Sequence, residues 1–161
     1  MTKVLVVDDD PSLIKALRIG LTARGDDVAT AHSGRDAIAQ VALLHPGLVI
    51  LDLGLPDLDG LEVCRRIRQF SNVPIIVLSA YGDERRKVEA LDGGADDFIT
   101  KPFHKAELAA RINAVVRRYR GHSESIIRTG NIALNLDTRT TEVAGVPVHL
   151  TPSEYKVLEL L

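Results

Sequence analysis

The chain is poor in the residues that would allow a disulfide framework, a thiolate metal centre or a membrane span. Cys64 is its single cysteine, which excludes the first two and fits a reducing cytoplasm. No apolar run is long enough to cross a bilayer. The first apolar run ends in carboxylates and not in the small residues of a signal-peptide cleavage site. We therefore expect a cytoplasmic protein without a membrane partner.

Overall charge and histidine content indicate neither a bound macromolecule nor a metal. The formal net charge is −2 over 161 residues, which does not predict a nucleic-acid or membrane surface across the whole chain. The five histidines are scattered without the spacing of metal ligands, so we interpret them as surface or loop residues. Any function must therefore be inferred from local patterns.

The most informative pattern is the apolar run that begins at Leu48 and ends in the carboxylate of Asp52. A continuous run of leucine and β-branched residues predicts a strand buried on both faces of a parallel sheet. Gly54 and Pro56 follow, so the chain must leave the sheet there. Asp52 then lies at the carboxyl end of a central strand, where ligands bind in open α/β sheets. The alternative is that Asp52 only caps the following loop.

Similar apolar runs alternate with helical periodicity along the first 120 residues. This alternation predicts an α/β fold, a doubly wound five-stranded parallel sheet with helices on both faces. The last helix is predicted to end near Arg120. The predicted strands are Val4–Val7, Val28–Ala31, Leu48–Asp52, Pro74–Leu78 and Asp97–Thr100.

The pattern changes after residue 120. Residues 121–125 are polar and predict a linker. Beyond them, apolar residues alternate between turn signals at 137–138 and 144–145, which indicates antiparallel hairpins. Thr151, Pro152 and Glu154 then favour the start of a helix. We predict a domain at 1–120, a linker at 121–125 and the beginning of a second domain at 126–161.

Polar side chains follow several predicted strands, and a parallel topology brings them to one edge of the sheet. Close carboxylates raise one another's pKa unless a cation lies among them, and oxygen ligands with room for water suit Mg²⁺. A metal, a nucleophilic carboxylate, a hydroxyl and an ammonium together favour phosphoryl transfer to the carboxylate. The simpler alternative is an acidic edge neutralised by one lysine. The residues are Asp8, Asp9, Asp52, Ser79 and Lys101.

Four segments resemble the receiver domain of two-component response regulators. The resemblance covers residues 1–120, the whole length of that domain, and implies its flavodoxin-like, CheY-like fold. The segments are Val-Val-Asp8-Asp9, Leu-Asp52-Leu-Gly-Leu-Pro56-Asp-Leu-Asp-Gly60, Val-Leu-Ser79-Ala80 and Ile-Thr-Lys101-Pro102-Phe103.

The resemblance implies a role for each residue of the predicted edge. Asp52 would be the phosphoacceptor for a sensor histidine kinase. Asp9 would bind Mg²⁺ directly and Asp8 would assist through water, with Asp52 and the backbone carbonyl of Gly54 as further ligands. Ser79 would then hydrogen-bond the transferred phosphoryl group.

Further expectations accompany the same resemblance. Lys101 would pair with the phosphoryl group, and the Lys101–Pro102 peptide bond would be cis. Phe98 would be the aromatic residue of the switch, although it could also be an ordinary core phenylalanine. The protein would not be a turnover enzyme, and its slow self-dephosphorylation would be set by Gly54 and Tyr81, which flank the site.

Relatives in the OmpR/PhoB subfamily form a symmetric homodimer through the last two receiver helices and the strand between them. The resemblance implies two ion pairs in such an interface, Lys87 with Glu107 and Asp97 with Arg111. Asn113 departs from the subfamily, whose members often carry a basic residue there. The alternative is that each pair is a solvated surface bridge worth about 0–1 kcal/mol.

Residues 126–161 resemble the start of the winged-helix effector domain of the same subfamily. This segment has three basic and four acidic residues and includes no recognition helix, so promoter binding would need the missing part. The Gly-Leu-Pro-Asp motif and the tail are also similar to regulators of potassium-transport (Kdp) operons. We expect a phosphorylation-switched transcriptional regulator. Two alternatives are a stand-alone receiver that acts by protein contacts and a phosphatase, which would need a second catalytic carboxylate near Asp52.

Overall fold

The computed structural model describes residues 2–80, 82–124, 126–129, 132–135, 140–143 and 146–148. The chain divides into two compact units, Met1–Val116 and Arg117–Leu161. Among the described residues, none of the helices combines the length and the hydropathy that crossing a bilayer requires.

The first unit is built on a parallel five-stranded sheet with the strand order β2-β1-β3-β4-β5, which confirms the predicted doubly wound fold. Each strand pairs in parallel with its neighbours, and a helix follows each strand along the chain. The strands are β1 (Lys3–Val7), β2 (Asp27–Ala31), β3 (Leu48–Asp52), β4 (Ile75–Ala80) and β5 (Asp97–Lys101). The helices are α1 (Pro11–Ala23), α2 (Gly34–Leu44), α3 (Gly60–Arg68), α4 (Glu84–Asp92) and α5 (Lys105–Glu124).

The continuous apolar strands produce a core on each face of the sheet. Alternate residues of a strand point to opposite faces, so Leu51 lies in one hydrophobic cluster and Ile50 in the other. All five residues of β3 are buried. Burial of each such aliphatic side chain stabilises the fold by about 1.5–3 kcal/mol. These contacts fix β3, and with it Asp52, at the centre of the sheet.

Side chains cap the helices that begin near the predicted site. Asp10 accepts a hydrogen bond from the backbone N–H of Ser12 at the start of α1, and Ser33 accepts one from Asp36 at the start of α2. Asp59 accepts one from Leu61 at the start of α3. Each cap satisfies a backbone donor that the first helical turn would otherwise leave without a partner.

The second unit contains an antiparallel sheet of four short strands, β6 (Ile126–Thr129), β7 (Ile132–Asn135), β8 (Thr140–Val143) and β9 (Val146–Val148). Consecutive strands pair in an antiparallel manner, as the alternating pattern predicts. The turns predicted at 137–138 and 144–145 and the helix predicted from Thr151 lie outside the described residues.

The predicted end of the last receiver helix near Arg120 is wrong. Helix α5 continues to Glu124 and includes four of the five residues interpreted as a linker. The segment contains no proline, and a single glycine, Gly121, disfavours the helix by only about 1 kcal/mol relative to alanine. A polar composition therefore did not end the helix. The division into a receiver, a linker and a partial second domain remains a prediction.

Candidate functional site

Three carboxylates come together at the carboxyl edge of the parallel sheet. Asp8 and Asp9 directly follow β1 and Asp52 ends the neighbouring β3, so the strand pairing places them side by side. One carboxylate oxygen from each lies within 4.8 Å of the others. Asp8 and Asp52 are buried, whereas Asp9 is exposed. The cluster is thus rooted in the sheet and open to solvent on one side.

Lys101 balances part of this negative charge. Its Nζ lies 3.0 Å from Asp8 Oδ2 and 3.3 Å from Asp52 Oδ1. Burial at this position lowers the lysine pKa, but the hydrogen bond to Asp8 and the charges of Asp52 and Asp8 outweigh it and raise the pKa above its ordinary value. Lys101 is therefore a firmly protonated bridge between the two buried carboxylates. The Lys101–Pro102 peptide bond is cis, the isomer that the resemblance implies.

The donor set of this cluster fits a hard divalent cation. Three carboxylates oppose one ammonium, which leaves an excess of negative charge among closely spaced oxygen atoms. Mg²⁺ is bound by such oxygen ligands and retains several waters, for which the exposed side at Asp9 leaves room. Gly54 lies next to the cluster, and its backbone N–H donates to Asp52 Oδ1 at 3.3 Å. The acidic cluster could therefore hold a metal through Asp8, Asp9 and Asp52.

Ser79 belongs to the same edge but differs from its neighbours in one respect. It lies near the end of β4, one residue beyond the partner of Asp52 in the β3–β4 register, and is 1% exposed. Its Oγ is buried and makes no hydrogen bond with the described residues. Buried hydroxyl groups are normally satisfied. An unsatisfied one beside a carboxylate cluster is suited to receive a ligand that accepts a hydrogen bond.

Phe98 lies in β5 beneath two cationic side chains. The ring is partly buried and packs against the core cluster that also contains Leu51. Lys87 Nζ lies 5.0 Å from the ring centroid, and Arg111 Cζ lies 5.9 Å from it. Both distances are in the range of cation–π contacts. A core role and a switch role are both compatible with this position, because the ring contacts the core and the charged surface.

Three of the four charged residues predicted for an interface form an ion-pair network within the chain, and the fourth, Lys87, pairs with another residue. Asp97 pairs with Arg111 at 3.0 Å, and Arg111 also approaches Glu107 at 3.5 Å. Lys87 is buried and pairs with Glu84 at 3.0 Å, and the predicted pairing of Lys87 with Glu107 is not among the ion pairs of the described residues.

Asn113, where the sequence departs from the subfamily, makes a different contact. Its Oδ1 accepts a hydrogen bond of 2.7 Å from Arg24 Nη2, which joins α5 to the end of α1. Tyr81, the other residue singled out beside the site, lies outside the described residues.

Asp57, for which no sequence pattern predicts a role, fixes the loop after β3. Its carboxylate accepts hydrogen bonds from the backbone N–H groups of Gly34 at 2.7 Å and Arg35 at 3.0 Å. These hydrogen bonds hold the pKa of Asp57 below its usual value of 3.8. They attach the loop to the start of α2. The Pro-Asp turn signal is visible in the sequence, but the partner residues are not.

A family model agrees with this geometry. The model of the response regulator receiver domain matches residues 4–113. The chain belongs to the response regulator family. The matched residues include the acidic edge, Lys101 and all of the parallel sheet except Lys3.

Curated relatives of this response regulator are transcriptional regulators of the OmpR/PhoB type. The chain is 44% identical over 160 residues to the cell cycle transcriptional regulator CtrA of Caulobacter vibrioides, covering 99% of this chain and 69% of the relative. It is 46% identical over 164 residues to the transcriptional regulatory protein KdpE of Mycobacterium tuberculosis, covering 100% of this chain and 73% of the relative. The two identities are too similar to distinguish a Kdp-type regulator from others of the type.

Solved structures support the fold of the first unit. The receiver domain of the Francisella response regulator 1452 is 33% identical, with a TM-score of 0.70, and the match covers 74% of this chain and 99% of that one. The BeF3-activated N-terminal receiver domain of Klebsiella pneumoniae RstA is 32% identical, with a TM-score of 0.68, and the match covers 71% of this chain and 98% of that one. This response regulator therefore has a flavodoxin-like receiver fold, and regulators of this kind are not turnover enzymes.

Proposed function

We propose that Asp52 accepts a phosphoryl group from a sensor histidine kinase, in a reaction that requires Mg²⁺. The observation that carries this proposal is the cluster of Asp8, Asp9 and Asp52, with carboxylate oxygens within 4.8 Å and Lys101 between the two buried members. Asp52 is the nucleophile because it ends the central strand and retains some exposure to solvent, whereas Asp8 is fully buried. Asp9, Asp8, Asp52 and the Gly54 carbonyl would hold the metal.

The residues of this edge would supply the nucleophile, the positive charge and the hydrogen-bond donor for the phosphoryl transfer. A carboxylate oxygen of Asp52 forms a bond to phosphorus while the bond from phosphorus to the kinase imidazole nitrogen breaks, and the imidazole leaves as the neutral base after taking a proton from water. The bound metal would neutralise charge on the phosphoryl oxygens. Lys101 supplies a fixed positive charge on the same edge. Ser79 offers its hydroxyl as a donor to the product.

The product would then change the surface formed by α4, β5 and α5. Ser79 gains the acceptor that its buried hydroxyl lacks, and the end of β4 follows it toward Asp52. Phe98 rotates into the space that this movement leaves. The phosphoryl group favours this state only through contacts that are absent from the other state.

The remodelled α4-β5-α5 surface would form a homodimer. Helix α4 exposes two apolar side chains, Val88 at 59% and Leu91 at 40%, and the same surface carries the ion pairs Lys87–Glu84 and Asp97–Arg111. An exposed apolar patch rimmed by charge is typical of a protein interface. Dimerisation would regulate transcription where the remainder of an effector domain is present to bind promoter DNA.

The test is intact-mass spectrometry after incubation with acetyl phosphate, with and without Mg²⁺. We expect the wild-type chain to gain one phosphoryl group only with Mg²⁺, and Asp52→Asn to gain none. Asp57→Asn is the matched control, because Asp57 lies in the same loop but its carboxylate is occupied by two backbone donors. An adduct on Asp52→Asn equal to that on the wild type would exclude Asp52 as the acceptor.

A further inference from the structure

Helix α4 is held in place by few buried side chains. Only Lys87 and Ala90 of its nine residues are buried. Asp83, at its N-terminal cap, makes no capping hydrogen bond with its side chain, in contrast to Asp59 at the start of α3. An element with so little buried surface and no side-chain cap on its first turn is readily displaced. Individual polar contacts between α4 and the rest of the domain therefore have a large influence on its position.

Arg86 makes such a contact with the loop that follows the phosphoacceptor. Its Nη2 donates to the backbone carbonyl of Leu53 at 3.3 Å and to the carboxylate of Asp59. Leu53 directly follows Asp52 in the chain, and Asp59 is the residue that caps α3. The guanidinium thus joins α4 to both ends of the loop that runs from the sheet to α3.

The groups that Arg86 contacts are themselves fixed. The Leu53 carbonyl also accepts a hydrogen bond of 3.0 Å from the backbone N–H of Gly60, and Asp59 Oδ1 also accepts one of 2.9 Å from Leu61. The loop is therefore a rigid anchor, and α4 is the less firmly held partner. A contact between the two determines where α4 lies relative to Asp52.

We propose that Arg86 is a positioning residue that holds α4 in the conformation described here and thereby opposes activation at Asp52. This inference rests on the proposed function, because it concerns how phosphorylation of Asp52 is coupled to movement of α4. Phe98 is partly exposed in this conformation. We therefore assign the conformation to the state before the proposed inward rotation of the ring. A contact made in one of two states shifts the equilibrium toward that state by its whole free energy. The coupling is reciprocal, so loss of the contact strengthens binding of the ligand that favours the other state.

The preceding residue is a matched control. Arg85 is adjacent in the chain and has the same charge, but its side chain is 91% exposed and pairs only one turn along its own helix, with Glu89 at 3.2 Å. Removing it changes the net charge of α4 by the same amount without touching the loop. Arg86 also lies 3.8 Å from Asp83 of its own helix, much as Arg85 pairs with Glu89, so each variant loses one contact within α4. The remaining difference between Arg86→Gln and Arg85→Gln reports the contact with Leu53 and Asp59.

The first measurement is binding of beryllofluoride with Mg²⁺, a mimic of the transferred phosphoryl group, to the full chain by titration calorimetry. A partly exposed ion pair with an additional hydrogen bond shifts an equilibrium by about two- to tenfold. We expect Arg86→Gln to bind the mimic more tightly by a factor in that range, and Arg85→Gln to bind it as the wild type does. Equal or weaker binding by Arg86→Gln would overturn the proposal.

The second measurement is hydrogen exchange of the α4 amides without any ligand. We expect residues 84–92 to exchange faster in Arg86→Gln than in Arg85→Gln, and Arg86→Lys to lie between Arg86→Gln and the wild type. Asp59→Asn keeps an oxygen to cap α3 but loses the charge, so combining it with Arg86→Gln should add little to either single change. If the exchange rates of the two glutamine variants agree, α4 is not held by Arg86.

These readouts separate failure of the inference from failure of the proposed function. If beryllofluoride does not bind the wild-type chain, the phosphoacceptor proposal fails, while hydrogen exchange still tests whether Arg86 holds α4. If the wild type binds the mimic and all variants bind it equally, the phosphoacceptor proposal survives and the role of Arg86 is refuted. Urea unfolding of each variant shows whether a change in exchange is confined to α4.

Discussion

A charged cluster lies at each end of the parallel strands, but charge and hydrogen bonding are balanced in only one of the two clusters. At the amino edge of β4 and β5, Arg68 donates to the backbone carbonyls of Gly94, Ser71 and Val73 and pairs with Asp96 at 3.0 Å. Asp96 in turn accepts from the backbone N–H of Ile75. The cation and the anion of this cluster therefore pair with each other, and both also hydrogen-bond to the backbone.

The carboxyl edge lacks this balance. Three carboxylates share a single lysine, and the buried Ser79 hydroxyl makes no hydrogen bond with the described residues. A satisfied cluster stabilises a fold, whereas an unsatisfied one costs stability and is retained where it binds something. The difference between the edges therefore points to the carboxyl edge as the site of chemistry.

The largest expected effect comes from breaking the satisfied cluster. Arg68→Ala leaves Asp96 without its cation and several carbonyls without a donor in a site where the arginine side chain is only 19% exposed. We expect the free energy of unfolding to fall by about 2–4 kcal/mol, because hydrogen bonds to charged groups are strong and a partly buried charge loses its partner. Urea unfolding measures the loss.

Arg66→Ala is the control for that change. Arg66 belongs to the same helix but forms an exposed pair with Glu62, so its removal should cost only about 0–1 kcal/mol. Similar losses for the two variants would show that the amino-edge cluster is not an anchor.

Adding Mg²⁺ should have the next largest effect, and it acts on the other edge. A ligand present at ten times its dissociation constant raises the free energy of unfolding by about 1.4 kcal/mol. We expect this increase for the wild type and for Asp57→Asn, and its loss in Asp9→Asn. Thermal unfolding with and without Mg²⁺ measures it. An undiminished increase in Asp9→Asn would remove Asp9 from the ligand set.

Two serines allow the same substitution to be compared at both edges. Ser71 Oγ accepts a hydrogen bond of 3.1 Å from the backbone N–H of Val73, so Ser71→Ala should lower the free energy of unfolding by about 1 kcal/mol. Ser79→Ala removes no hydrogen bond to the described residues and should leave it unchanged or raise it by up to about 1 kcal/mol. Urea midpoints at one pH compare the pair, and a larger loss at Ser79 would indicate a contact that the geometry does not show.

The smallest expected effect concerns Asp57, in the loop after β3, whose carboxylate oxygens already accept backbone hydrogen bonds. The pKa of Asp57 is lowered, so its contribution to stability is fully present above its usual pKa of 3.8 and is lost as the pH falls through the lower value of the folded state. Asp57→Asn does not titrate. We therefore expect the stability difference between the two chains to shrink as the pH falls below about 4. A pH series of urea midpoints tests this, and a constant difference would contradict it.

The strands and the composition of the acidic edge could be predicted because their signals are local. Asp52 ends an unbroken apolar run, and Asp8 and Lys101 likewise stand at strand ends, so a parallel topology alone brings them together. The contacts of Asp57 with Gly34 and of Arg86 with Leu53 could not be predicted, because they join segments that are 23 and 33 residues apart in the chain. Such pairs depend on how the helices pack, which hydrophobic periodicity does not specify.

Contacts on the charged surface of α4, β5 and α5 were equally hard to predict from the sequence. The sequence predicts which residues of α4, β5 and α5 carry charge, but not that Lys87 is buried against Glu84 and the ring of Phe98. Partner choice among closely spaced charges depends on side-chain geometry.

Gly60 determines the direction in which a displacement at Asp52 can travel. A Cβ atom at this position would lie 2.5 Å from Leu53 Cα and 2.6 Å from the Asp52 carbonyl oxygen, so the start of α3 rests directly on the backbone of Asp52 and Leu53. Two backbones in such contact move as one body, because no side chain lies between them to reorient. Any signal that leaves Asp52 as a relative motion must therefore leave through elements that side chains attach to this body.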